Sequence, residues 1–408
     1  MKTLVVFSHL RWNFVYQRPQ HLLSRLAKRW RVIFIEEPIQ KAQSNKLECF
    51  QPTDGVEVWR PHVTGDAPGF HDDHLPALQQ LVADALRERA VADYWIWFYT
   101  PMALPLATEL TPRGVVYDCM DELTAFRNAP RQLVQRENAL FKMADLVFTG
   151  GRSLYNAKKG RHPDVHCFPS SVDAKHFSKA TQDHPLQAML DRPRLGYCGV
   201  IDERINLDLI ASVATARPDW EIVMVGPTAK VDPAALPKRP NIHWLGQQSY
   251  DDLPAFISGW DVCLMPFALN EATRYISPTK TLEYMACGRP SVSTSIRDVV
   301  EPYGHLVQIA DTPQGFVASC AEILERTREE RAAHARLLAE TVARTSWDST
   351  AQAMADLIAQ ADEALESEGT LVRAQPVAND SAPLRLANAA KAVSVVAPAA
   401  ATRASAAG

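Results

Sequence analysis

The sequence predicts an α/β protein built from two doubly wound parallel-sheet domains in tandem. Short apolar runs alternate with helical patterns through the first 345 residues, and such runs are typical of parallel strands that helices cover on both faces. The alternation begins afresh at Arg194, after a polar stretch that contains two prolines. The 408 residues also exceed what a single hydrophobic core usually holds. We therefore expect two domains of similar construction.

The first domain is predicted to span residues 1–172. Apolar runs predict strands at 3–8, 31–36, 94–99, 114–117, 146–149 and 165–168, and helical periodicity predicts helices at 20–30, 75–90, 131–144 and 153–159. Residues 173–193, which are polar and show little periodicity, are predicted to form the interdomain linker.

The second domain is predicted to span residues 194–345. Its expected strands are 194–198, 221–225, 242–245, 262–265, 291–293 and 305–309, and its expected helices are 206–216, 250–258, 279–286 and 314–344. Residues 346–366 have the pattern of a last amphipathic helix. Residues 367–408 are rich in Ala, Pro, Ser and Val without periodicity, so we expect a disordered tail.

The composition excludes several classes of protein. A net charge of −4 argues against a nucleic-acid partner. Seven scattered cysteines, without CxxC or Cys/His spacing, indicate free thiols in a reducing cytoplasm and no metal site. No apolar run is long enough to cross a membrane, and the N-terminal one is too short for a signal peptide. We expect a cytoplasmic protein, with peripheral contact at the inner face of the plasma membrane as an alternative.

The segment SPTKTLEYMACGRPSVST, residues 277–294, carries the strongest local signal of a ligand site. Ser277 suits a helix N-cap and Pro278 the first helical position. Thr279 and Lys280 then fall in the first turn, where unpaired N–H groups and the helix dipole favour an anion. Glu283 lies one turn later on the same face as Lys280. The pattern predicts a phosphate cradle with a carboxylate behind it, whereas the alternative is an ordinary helix with a surface Lys280–Glu283 pair.

Other polar residues follow predicted strands directly. Open α/β sheets bind ligands at the carboxyl ends of their strands, and two such rims that face each other form a cleft. The residues at these ends are His9, Asp118, Asp121, Gly199, Arg204 and Gly226. No GxGxxG run follows a first strand, so a dinucleotide site is not indicated.

The second half resembles the donor domain of GT-B glycosyltransferases, in particular the large retaining family four (glycosyl transferases group 1). The matching runs are PTKTLEYMACGRPSVST, RLGYCGVIDERINLDLI, EIVMVGP and NIHWLGQQSYDDLPAFISGWDVCLMPF, in the family's order and spacing. The first half, with SHLRWNFVYQRPQHLLSRLA and VVYDCMDE, resembles a subgroup from bacterial polysaccharide pathways. Together the resemblance covers about residues 1–365.

The resemblance implies two Rossmann-like domains that face each other across a cleft. It implies transfer of a hexose from a nucleoside-diphosphate sugar to a carbohydrate or lipid-linked glycan in cell-surface or exopolysaccharide synthesis, with retention of configuration. Gly199, Arg204, Gly226 and Lys280 would lie at the diphosphate, and Glu283 would accept hydrogen bonds from the ribose. Relatives generally use basic side chains and the helix dipole where other enzymes use a metal, so no cofactor is expected. The alternative for Arg204 is a pair with Asp202 or Glu203.

Two departures from the family pattern affect the sugar and the catalytic base. The family's first glutamate falls on Tyr275, and Glu271, four residues earlier, is the nearest substitute. Where many relatives have a His-Asp pair, this chain has Met120-Asp121. The candidate bases are therefore Asp121, Asp118 and His9. The two aspartates lie close together in the sequence, and neighbouring carboxylates raise each other's pKa. Two other functions stay open: a nucleotide-sugar 2-epimerase of the same fold, and a non-catalytic relative that binds nucleotide sugars.

Overall fold

A computed structural model describes residues 2–179 and 182–374, with side chains as far as residue 367. It confirms the predicted fold class, because the described chain forms two α/β domains, each around a parallel sheet. The linker contains two short helices, α5 (Ala174–Phe177) and α6 (Pro185–Ala188). Within the described residues, no helix combines the length and the apolar character needed to cross a bilayer.

The first domain contains an eight-stranded sheet with the order β3-β4-β2-β1-β5-β6-β7-β8. The strands are β1 (Thr3–Phe7), β2 (Arg31–Ile35), β3 (Lys46–Thr53), β4 (Val56–His62), β5 (Tyr94–Phe98), β6 (Val115–Cys119), β7 (Leu146–Thr149) and β8 (Val165–Cys167). The helices are α1 (Arg18–Leu26), α2 (Leu75–Glu88), α3 (Gln132–Met143) and α4 (Arg152–Lys158). All neighbouring strands are parallel except β3 and β4, which form a hairpin that the sequence prediction missed.

The second domain contains a six-stranded parallel sheet with the order β11-β10-β9-β12-β13-β14. The strands are β9 (Arg194–Cys198), β10 (Glu221–Val225), β11 (Ile242–Gly246), β12 (Val262–Met265), β13 (Ser291–Ser293) and β14 (Gln308–Ile309). The helices are α7 (Leu207–Ala216), α8 (Leu253–Ser258), α9 (Thr279–Ala286), α10 (Arg297–Tyr303), α11 (Pro313–Glu325) and α12 (Arg328–Val342).

Residues 314–344, predicted as one helix, form two. Helix α11 ends at Glu325, and α12 begins after Thr327, which forms a capping box with Glu330. The threonine side chain accepts a hydrogen bond from the backbone of Glu330, and the Glu330 side chain accepts one from the backbone of Thr327. This reciprocal pairing satisfies two unpaired N–H groups and starts a new helix.

The last helix, α13 (Trp347–Ala374), crosses back to the first domain and packs against α1. Trp347, Met354 and Ile358 are buried in the core of domain one. Asp362 accepts hydrogen bonds from Trp95 Nε1 at 2.9 Å and from Arg113 Nε at 2.7 Å. The helix continues through residues 367–374, past the predicted start of the tail at 367. The rest of the predicted tail, residues 375–408, lies outside the described residues.

Candidate functional site

A cavity of about 470 Å³ lies between the two domains. Domain one lines it with residues 12–18 after β1 and with Met120 and Asp121 after β6. Domain two lines it at the ends of β9 and β10 and at the start of α9. The predicted site residues that reach this cavity are Asp121, Gly199, Arg204, Gly226, Ser277, Pro278, Thr279 and Lys280. The cavity therefore brings together most of the residues that the resemblance placed at the donor.

Two glycines bring the ends of β9 and β10 together. Gly199 has φ +150° and Gly226 has φ +146°, which L side chains rarely adopt. A Cβ on Gly226 would lie 1.8 Å from the carbonyl oxygen of Gly199, and one on Gly199 would lie 2.6 Å from Tyr197 Oη. Both positions therefore require glycine, and the exposed backbone forms part of the cavity wall.

Helix α9 has the predicted range, but its N-cap lies one residue later than the Ser277 that the sequence suggested. The N-cap is Pro278, the helix begins at Thr279, and no side chain caps it. Ser277, predicted as the cap, instead contacts domain one, because its carbonyl oxygen accepts a hydrogen bond from Ser170 Oγ at 2.5 Å. The N–H groups of Thr279 and Lys280, in the first turn, therefore have no side-chain partner among the described residues. Both residues line the cavity.

Lys280 and Glu283 form a buried ion pair. Lys280 Nζ lies 2.6 Å from Glu283 Oε2, and the side chains are 17% and 4% exposed. Burial disfavours the ammonium charge, but Glu283 outweighs it and keeps the pKa of Lys280 above its ordinary value. Lys280 is therefore a fixed positive charge in the cavity wall. Glu283 lies behind it, and its contact with a ribose stays a prediction.

Arg204 pairs with Asp202, the first of the two alternative partners. Its Nε lies 3.0 Å from Asp202 Oδ1, and its Nη2 lies 2.7 Å from Asp202 Oδ2. Glu203 points elsewhere, toward Arg127 of domain one, at 3.4 Å. Arg204 nevertheless lines the cavity, so the ion pair and a contact with a ligand are compatible.

Asp118 does not reach the cavity, and the structure contradicts its prediction as a base. Its carboxylate is fully buried and accepts hydrogen bonds from Arg18 Nε at 3.1 Å and Arg18 Nη2 at 2.9 Å. Arg18 Nη1 also donates to the carbonyl of Phe168 at 2.7 Å. Both carboxylate oxygens are therefore occupied, and Asp118 serves as the counter-ion that fixes Arg18.

Asp121 is the carboxylate of this loop that faces the cavity. Its side chain receives no hydrogen bond from the described residues, 2–179 and 182–367, so both oxygens are available to accept hydrogen bonds from a ligand. Burial raises the pKa of Asp121, while Arg204 and Arg18 oppose that rise. Among the three candidate bases, Asp121 is the one with access to the cavity.

His9 and Glu271 lie outside the residues that line the cavity. Burial and the charge of Lys230 lower the pKa of His9 to about 4, so the imidazole is neutral at pH 7 and its buried Nδ1 has no partner among the described residues. Glu271 is 74% exposed, pairs with Arg274 at 3.4 Å and lines a separate, open groove. Glu271 therefore lies apart from the cavity in this arrangement, and its role as a substitute for the missing glutamate stays a prediction.

The loop after β1 is a part of the site that sequence reasoning undervalued. Tyr16 stacks on Tyr250 of domain two, with ring centroids 4.5 Å apart, and the carbonyl of Phe14 accepts a hydrogen bond from Gln247. The loop therefore closes one side of the cavity against domain two. The available signal was its run of aromatic residues, WNFVY, at the end of a buried strand.

The chain is similar in sequence to known glycosyltransferases. The model of the family "Glycosyl transferases group 1" matches residues 192–326. A teichuronic acid biosynthesis glycosyltransferase of Bacillus subtilis, TuaH, is 27% identical over 321 residues, which cover 64% of this chain and 78% of the relative. A GDP-mannose-dependent mannosyltransferase of Corynebacterium glutamicum, which acts on a phosphatidylinositol monomannoside, is 22% identical over 69% of this chain and 80% of its own length.

Solved structures share the whole two-domain fold. Sucrose-phosphate synthase of Thermosynechococcus elongatus has a TM-score of 0.67 at 15% identity, covering 89% of this chain and 100% of that one. Anabaena HepE, solved with UDP and glucose, has a TM-score of 0.61 at 15% identity, covering 88% and 100%. The solved structures confirm the GT-B fold. The family model and the two curated relatives support the enzyme class, a glycosyltransferase.

Proposed function

We propose that this chain, a GT-B glycosyltransferase, moves a hexose from a nucleoside-diphosphate sugar to a carbohydrate or lipid-linked glycan during synthesis of a bacterial cell-surface polymer. One observation carries the proposal: Lys280, Arg204 and the uncapped start of α9 converge on the same interdomain cavity that Asp121 faces. One cavity therefore offers positive groups for a diphosphate leaving group and a carboxylate for an acceptor hydroxyl.

The charges of the cavity match the chemistry of the leaving group. A departing nucleoside diphosphate gains negative charge as the glycosidic bond breaks, and fixed positive groups lower that barrier. A helix start contributes about 0.3–1 kcal/mol to anion binding, up to about 2 kcal/mol when partly buried. Micromolar binding requires about 8 kcal/mol, so Lys280 and Arg204 have to supply much of the remainder. No metal or other cofactor forms part of the proposal.

The similar proteins guide the choice of substrates to test. HepE was solved with UDP and an E. coli neighbour with UDP-2-fluoro glucose, whereas the Corynebacterium relative depends on GDP-mannose. TuaH is named for teichuronic acid, a cell-surface polymer. We therefore include UDP- and GDP-sugars as donors and cell-surface glycans as acceptors. A cytoplasmic location, with contact at the inner membrane face where lipid-linked acceptors lie, completes the proposal.

For the stereochemistry we propose retention, with the leaving diphosphate assisting the incoming hydroxyl on the same face of the sugar. Inversion requires a protein base on the opposite face, and Asp121, which lines the cavity, is our candidate for it. Proton NMR of the anomeric centre in the product decides between the two. A product of inverted configuration that Asp121→Asn no longer forms would contradict retention and would indicate inversion with Asp121 as the base.

The experiment begins with a thermal-shift screen of UDP, GDP and their sugars, because a ligand that binds the native state raises the melting temperature. Transfer of labelled sugar onto membrane and glycan extracts is then measured for the wild type, for Lys280→Met, and for Lys142→Met, an exposed lysine at the end of α3, as matched control. We expect a loss of about 10- to 100-fold in donor kcat/KM for Lys280→Met, since a hydrogen bond to a charged group is worth about 1.5–3 kcal/mol, and no loss for the control.

Incubation with donor alone separates the alternatives. A transferase produces only slow hydrolysis, whereas a 2-epimerase converts the donor sugar into its epimer. Binding of nucleotide sugars without transfer to any extract would indicate a non-catalytic relative, and an absence of binding by every nucleoside diphosphate would overturn the proposal.

A further inference from the structure

We propose that Asp202 is a positioning residue that orients Arg204 toward the diphosphate of the donor. The inference rests on the proposed function and assigns a role to a carboxylate that lies beside an anion site, where a negative charge by itself is unfavourable. Asp202 is buried, and its side chain is committed to Arg204 alone among the described residues.

The contact between the two side chains is a fork. Arg204 Nε donates to Oδ1 at 3.0 Å and to Oδ2 at 3.1 Å, and Nη2 donates to Oδ2 at 2.7 Å. Asp202 Oδ1 also accepts from the backbone N–H of Arg204 at 2.9 Å. Because the carboxylate holds both the backbone and one edge of the planar guanidinium, the direction of the side chain is fixed.

The backbone of this segment is fixed as well. Ile201 N donates to the carbonyl of Pro227 at 2.9 Å, and Asn206 N donates to that of Pro266 at 2.8 Å. The carbonyl of Arg204 itself accepts from Ala268 N at 2.8 Å. The segment is therefore tied to the loops after β10 and β12, which surround the same cavity.

The fork leaves the other edge of the guanidinium available. Arginine has five N–H donors, and the fork uses the Nε donor and one of the two Nη2 donors. The two Nη1 donors and the second Nη2 donor remain, and they suit bidentate binding of a phosphate. Arg204 lines the cavity, and its guanidinium carbon lies 5.7 Å from the ring centroid of Phe126 in domain one.

The chain contains a second fork of the same kind that serves as a control. Arg217 Nε lies 2.9 Å from Asp219 Oδ1 and Nη2 lies 2.6 Å from Oδ2, also two residues apart. This pair is on the surface, 34% and 57% exposed, and neither residue lines the cavity. Asp219→Asn therefore breaks the same type of contact without a ligand site beside it.

The test is isothermal titration of UDP and GDP into the wild type, Asp202→Asn, Arg204→Ala, the double variant and Asp219→Asn. We expect Asp202→Asn to bind the diphosphate about five- to tenfold more weakly, because Arg204 then has to be ordered by the ligand at the cost of one immobilised side chain. In the Arg204→Ala background the same substitution should have no further effect, since Asp202 acts through Arg204. Asp219→Asn should bind as the wild type does.

Other outcomes overturn the inference. Unchanged or tighter binding by Asp202→Asn would mean that the carboxylate only offsets the charge of Arg204, and an equal loss in the Arg204→Ala background would indicate a general structural role. If Asp202→Asn does not fold, Asp202→Glu, which keeps the charge but displaces the carboxylate, carries the same expectation. Failure of the wild type to bind either nucleotide would instead count against the proposed function.

Discussion

Removal of the Lys280 charge should weaken the fold as well as the binding of the donor. Lys280→Met keeps the aliphatic stem and deletes the ammonium, which leaves the carboxylate of Glu283 at 4% exposure without its partner 2.6 Å away. Breaking a buried pair in this way typically destabilises a protein by 3–5 kcal/mol. We expect about 3 kcal/mol, the lower end of this range, because Lys280 lines the cavity and water can approach the site from that side.

The assay is urea-induced unfolding followed by circular dichroism, with Lys280→Met compared with Lys280→Met/Glu283→Gln. The double variant removes the unpaired carboxylate and should recover most of the lost free energy of unfolding, although donor binding stays weakened. Glu301→Gln is the control, because its pair with Arg297 is exposed, at 60% and 45%, and contributes little. Wild-type stability of Lys280→Met, or a double variant less stable than the single one, would refute the reasoning.

Three further predictions follow from local geometry. Gly226→Ala should lower the melting temperature and abolish nucleotide binding, because the new Cβ would lie 1.8 Å from the Gly199 carbonyl oxygen. Gly160→Ala is the control, because a Cβ at that position has no atom within 4 Å. Equal effects of the two substitutions would contradict the prediction. The pKa of His9 is lowered to about 4, so its contribution to stability is present above pH 6.5 and is lost as the pH falls toward 4. An acid titration should therefore show a smaller loss of stability in His9→Gln than in the wild type, and parallel titrations would contradict the assignment. Asp362→Asn should destabilise domain one, because this buried carboxylate joins α13 to the first domain through charged hydrogen bonds. Urea unfolding measures the effect. An unchanged midpoint would contradict the prediction and show that the packing of α13 alone holds the helix in place.

Most of the parallel strands were predictable from sequence because they are short apolar runs that helices cover on both faces. The β3–β4 hairpin was missed because β3 is largely exposed and lacks such a run, although Asp54-Gly55 between the two strands was a turn signal. The division between α11 and α12 was also readable, since Thr327 and Glu330 have the spacing of a capping box. Local sequence patterns thus predicted most of the helices and strands. The hairpin and the division between α11 and α12 were missed although the sequence contains a signal for each.

Local sequence patterns predicted only part of the candidate site. The residues of strand ends and of the first turn of α9 meet at the cavity because topology alone places those ends together. The sequence could not decide between Asp118 and Asp121. The decision depends on Arg18, one hundred residues before Asp118, which forms hydrogen bonds with the carboxylate of Asp118 and not with that of Asp121. The position of Glu271 apart from the cavity was unpredictable for a similar reason, since loop position depends on tertiary packing rather than on spacing.

The most direct measurement is a crystal structure of the protein with UDP or GDP. The account predicts the diphosphate in the interdomain cavity, within hydrogen-bond distance of Lys280 Nζ, the free edge of Arg204 and the first N–H groups of α9. A nucleotide bound elsewhere, or bound there with Lys280 and Arg204 directed away from its phosphates, would contradict the central claim.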